Sequence, residues 1–94
     1  MAVFRIDYDR AIEQAEDIRA LASDFQSEIS DLETLLSRIK REWRGPASDA
    51  FTAQLNMLIT EMKTTKNDMT RVSDLIKSTA KEIQREDEKA ASKD

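Results

Sequence analysis

From Ala11 to Trp43 the apolar residues return at alternating intervals of four and three, and after one interruption the same rhythm runs from Phe51 to Ile83. The first run is Ala11, Ala15, Ile18, Ala22, Phe25, Ile29, Leu32, Leu36, Ile39 and Trp43. The second is Phe51, Leu55, Leu58, Met62, Thr65, Met69, Val72, Ile76, Thr79 and Ile83. A period of three and a half residues is the seam of one helix packed at a shallow angle on another. Few folds other than helices laid side by side satisfy it over such a length.

The interruption is Trp43-Arg44-Gly45-Pro46, and it holds the only glycine and the only proline of the chain. Glycine adopts the backbone angles that end a helix, and proline suits the first turn of the next. The chain therefore reverses here, and the expected fold is all-α, an antiparallel two-helix hairpin. The expected bounds are helix one over about 8–42, a turn at 43–46, helix two over about 47–84 and a charged C-terminal tail at 85–94, all in a single domain. Asp7 or Asp9 can cap the first helix. Its acidic start and its basic end at Arg38, Lys40 and Arg41 both suit the helix dipole. The tail loses the apolar stripe and reads as a fraying helix end or a mobile tail. In the second helix, Thr65 and Thr79 are weak core positions, so its distal half is expected to pack less firmly.

Both stripes are wider than one seam needs. Ile12, Leu21 and Leu35 broaden the first, and Ile59 and Leu75 the second. Two rods have a thin core by themselves, so the economical solution is a second hairpin, dimerising into a four-helix bundle. A homodimer is expected, with a heterodimer as the other possibility.

Composition narrows the function. The net charge of −4 gives no basic stripe for nucleic acid and no attraction to anionic membranes. No segment is apolar enough to be inserted in a bilayer or to form the core of a cleaved signal peptide. There is no cysteine and no histidine, which removes thiolate metal sites and the commonest general base. With 19 Asp and Glu residues, carboxylates in reach of one another carry no signal. Arg38, Lys40, Arg41 and Arg44 form a basic cluster that helix-end electrostatics already explain. Met57, Met62 and Met69 suit a forgiving recognition face or, for the two on the stripe, core packing. No catalytic, cofactor-binding or metal-binding constellation is expected, and the chain reads as a binding module and not an enzyme.

Trp43 and Gly45 form a Trp-X-Gly turn, and Ala47 and Phe51 follow in phase. At the midpoint of a two-helix chain of 94 residues, this resembles the WXG family, the small helical-hairpin proteins of type VII secretion systems of early secreted antigenic target type. On physical grounds alone the same residues make a packed turn: the Trp43 ring covers the end of the helix pair, Ala47 permits a close passage and Phe51 opens the second stripe. The resemblance adds a recognition surface at the turn, near the C-terminal end of a partner. It implies a substrate or adaptor that is cytoplasmic before export and secreted without a cleaved signal peptide. A type VII secretion ATPase is the implied receptor, and a related WXG protein the implied alternative partner. The only tyrosine is Tyr8, so a C-terminal Tyr-x-x-x-Asp/Glu export signal is missing. A second signal pattern of the family, with apolar residues spaced around an Asp, is met by Ile83, Asp87 and Ala90 and departs at Asp94. The alternative is a cytosolic coiled-coil adaptor or chaperone-like partner with no secretion role. It would carry Trp-X-Gly only as a turn.

Overall fold

The computed structural model describes residues 7–91. Two α-helices make up the fold, α1 over Tyr8–Glu42 and α2 over Pro46–Ala91, packed antiparallel into a rod of 75 × 17 × 17 Å. Asp7 caps α1: its carboxylate accepts the Arg10 backbone N–H at 3.0 Å, satisfying one of the free donors of the first turn. At the other end, Trp43 leaves the helix with an extended backbone, and its N–H still bonds the Ile39 carbonyl.

The α1 stripe packs as its spacing dictates. Ala15, Ala22, Ile29, Leu36 and Ile39 are buried, and Ile18, Phe25 and Leu32 are half-buried beside them. The α2 stripe is only half as expected. Leu55, Met62, Met69, Ile76 and Ile83 line the seam, but the alternating positions are Ile59, Lys66, Ser73 and Ala80, one residue further on than Leu58, Thr65, Val72 and Thr79. The reason is a choice of flank. α2 is apolar on both sides of its central row. α1 carries Arg19, Gln26 and Glu33 along one edge, and polar partners on α2 meet them there: Arg19 with Asp74 at 2.5 Å, Gln26 with Lys66 at 2.8 Å and Glu33 with Lys63 at 3.0 Å. Glu16 pairs with Lys77 on the same side. In the rotation that makes these contacts, Phe51, Leu58 and Val72 turn outward.

The seam is graded along its length. Near the turn it is a cluster of Ile29, Leu36, Ile39, Leu55 and Ile59, flanked by Phe25, Leu32 and Met62. Towards the far end the buried residues are Ala15, Ala22, Ser73 and Ala80. Ser73 is fully buried, and its hydroxyl donates to the Ala15 carbonyl at 2.7 Å across the helix pair. The distal half thus holds together by close approach of small residues and by polar clasps. Each layer there removes much less apolar area from water than a Leu–Ile layer does.

The expected tail is not a separate segment over its described length. α2 continues through Gln84 and the following residues to Ala91. This stretch has ordinary helix formers and no breaker, and the loss of an apolar stripe removes packing without forbidding a helix.

Candidate functional site

The sequence-derived turn residues gather at one end of the rod. Gly45 has φ +115°, in the region L-residues avoid, so the reversal rests on its backbone freedom. A Cβ there would meet nothing within 4 Å, so the requirement is conformational and not one of space. The Trp43 ring does not close the end of the helix pair. It is 52% exposed and leans on Phe51, itself 46% exposed, with ring centroids 5.8 Å apart and planes at 37°. Ala47 is exposed in the first turn of α2, and no chain passes closely over it; the buried residue there is Ser48. The turn therefore presents two aromatic faces to solvent beside the basic residues Arg38, Lys40, Arg41 and Arg44.

The second set lies at the opposite end. Ile83 is half-buried in the seam and Ala90 is exposed beyond it. Asp87 accepts a hydrogen bond from the Tyr8 hydroxyl, which ties this turn of α2 to the first turn of α1. That bond, with smaller contributions from desolvation and from the Asp87 and Glu88 charges, raises the Tyr8 pKa above its ordinary value. Asp94 lies outside the described residues. Within one chain the two sets are separated by most of the rod's length and form no common site.

Between them runs a feature that the sequence reading treated only as width. Leu21 and Leu35 on α1 and Phe51, Leu58 and Val72 on α2 are exposed along one flank, with Leu75 beside them at 62% exposed. The opposite flank is the one stitched by ion pairs. The distinction was available in the sequence: Leu21 and Leu35 are fourteen residues apart, as are Leu58 and Val72, while Arg19, Gln26 and Glu33 share the other edge of α1. Tyr8 was legible too, one seven-residue step ahead of Ala15.

Among the described residues no cluster of acidic side chains could hold a metal ion, and no helix is long and apolar enough to cross a membrane. The family model described as proteins of 100 residues with WXG matches residues 3–88. The chain belongs to the WXG100 family. Comparison with curated proteins gives no significant match. WXG100 membership implies a small protein of the type VII secretion kind, in a non-enzymatic helical family whose members typically form dimers. In this WXG100 chain the Trp-X-Gly residues are those that bring the exposed ring pair to the end of the rod.

Proposed function

We propose that this chain is a substrate or adaptor that a type VII secretion system exports folded, as a dimer, and that it acts by protein–protein recognition. The observation that carries the reading is the uncovered apolar flank of the hairpin, in a chain of this family. Leu21, Leu35, Phe51, Leu58 and Val72 form a band along the rod, and a contiguous band of that kind marks a protein interface. Covering it with a second hairpin turns two helices into a four-helix bundle. Ile83, Asp87 and Ala90 are the candidate export residues, with the secretion ATPase as their receptor.

The test joins assembly to export. Sedimentation should give a dimer at micromolar concentration. Leu58→Glu and Val72→Glu, both outside the hairpin seam, should yield a helical monomer that is not exported by a host carrying the secretion system. Asp87→Ala should leave the dimer intact and lower export. A wild-type chain that dimerises but stays in the cytosol of such a host would favour the adaptor reading without secretion. A stable monomer would remove the dimer from the proposal.

A further inference from the structure

The seam register of α2 runs on where its apolar stripe stops. Near the far end one row of the seam is Met69, Ile76 and Ile83, and the other is Ser73 and Ala80. Seven-residue steps extend the first row to Ala90 and the second to Asp87. The three candidate export residues are therefore the last seam positions of α2, on the face turned towards α1. The rows of α1 begin opposite them, at Tyr8, seven residues ahead of Ala15, and at Ala11, seven ahead of Ile18.

We infer that the first two turns of α1, from Tyr8 to Gln14, are an internal cover on the export face of α2, and that a receptor reads this face only after they have lifted. The inference rests on the export reading above and adds its regulation. Three observations carry it.

The first is occupancy. Ile83 is half-buried in the seam, and the Asp87 carboxylate already accepts the Tyr8 hydroxyl. A receptor that takes Ile83 as an apolar anchor and Asp87 as an acceptor competes with α1 for both.

The second is the looseness of the cover. A groove of about 360 Å³ lies beside it, lined by Ala11, Leu75, Ile76, Thr79, Ala80 and Ile83. Ala11 is too small to fill this space, so α1 removes little apolar area from water here and its hold is correspondingly weak.

The third is a boundary. Directly after Gln14, Ala15 is fully buried and its carbonyl accepts the Ser73 hydroxyl at 2.7 Å, and Glu16 pairs with Lys77. Lifting can end there and leave the rest of the hairpin paired, as local openings of weakly packed ends do. What replaces α1 must repeat its chemistry: a small apolar surface for Ile83 and a hydroxyl or cationic donor for the Asp87 carboxylate. The apparent affinity of such a receptor scales with the fraction of chains whose cover is open.

Export by a host carrying the secretion system is measured beside native-state hydrogen exchange of amides 11–14 in the purified full chain. Tyr8→Phe keeps the ring and removes the donor, so exchange there should quicken by about threefold and export should rise. Ala11→Leu fills the groove beside Ile83, so exchange should slow and export should fall. Neither substitution alters an export residue. Ile59→Val loosens the seam near the turn and should leave export unchanged, which separates lifting of the cover from a general loss of stability. Opposite changes in Tyr8→Phe and Ala11→Leu support the cover. Exchange unaltered in both variants overturns the hold of α1 on this face. Export indifferent to both, while Asp87→Ala lowers it, overturns the cover and leaves the export reading standing. Export that falls in a folded Tyr8→Phe also overturns the cover, since the bond then presents Asp87 instead of masking it. Normal export of Asp87→Ala overturns the export reading and the cover together.

Discussion

Single residues carry unequal parts of this architecture, and the sequence marks them unequally. Gly45 is marked plainly, as the only glycine at the only break, and its φ of +115° shows what it does. Gly45→Ala should destabilise the hairpin by about 1–2 kcal/mol, backbone strain being partly offset by a stiffer unfolded chain. A D-alanine placed there by chemical synthesis should restore stability, because it prefers positive φ and nothing lies in its way. Thermal melts of the three proteins check the pair of outcomes; equal losses for both isomers would mean that space and not conformation sets the requirement. Ser73 was not legible. A serine on a helix surface usually faces solvent, and only the closeness of Ala15 turns its hydroxyl into a bridge.

Tyr8 and Glu16 each add a pH-dependent contribution at this scale. The raised pKa of Tyr8, from the Asp87 bond first, contributes stability that is complete below the ordinary tyrosine value. It is lost as the pH rises through the folded value. Glu16 is shifted the other way, its carboxyl held below the ordinary value by the hydrogen bond and charge of Lys77. Its contribution is present above the ordinary carboxylate range and is lost as the pH falls through the depressed value. With one tyrosine in the chain, absorbance titration of tyrosinate reads the first shift directly. Tyr8→Phe should reduce the alkaline part of the stability profile and leave the acid part unchanged; an unaltered alkaline limb would show that the Asp87 bond does not form in solution.

At the scale of elements, α1 was readable because one face is apolar and the rest is polar, so only one rotation buries the stripe. α2 was ambiguous because Leu58 and Ile59, or Val72 and Ser73, offer seams one residue apart. The observed seam is the one that lets Arg19, Gln26 and Glu33 meet polar partners across the pair, and a pattern read one helix at a time does not contain that match. At the far end of α2 the apolar stripe stops while the helix formers continue, and the helix runs on to Ala91 without packing to support it. The graded seam should appear in native-state hydrogen exchange. Amides at 29–39 and 55–62 should exchange slowest, and those at 11–22 and 73–84 faster, in keeping with the smaller apolar area buried there. Uniform protection along both helices would contradict the gradient.

For the whole molecule, what the sequence showed was a hairpin with too much apolar surface. What a stripe read one helix at a time leaves out is that the surplus falls on the flank opposite the cross-helix ion pairs. The dimer proposed above covers that flank, so Leu21→Glu, outside the hairpin seam, should dissociate it and leave the helix content unchanged; sedimentation and circular dichroism of the same samples check both outcomes.

The grading of the seam also settles how the rod bears a load. Tyr8 and Ala91 lie at the same end, so a pull on the C-terminal end of α2 against a held α1 peels the helices apart instead of shearing them. In a peel the layers part in sequence, and the resistance at any moment is that of the layer at the fork. The fork meets Tyr8–Asp87 first, then the small-residue layers at Ala80 and Ser73, and only later Ile59 and Leu55 against Ile29, Leu36 and Ile39. An optical trap attached at residues 8 and 91 should record a low plateau followed by a higher one. A machine that grips the far end of α2 then faces little resistance over the first half of the rod and a firm stop before the turn.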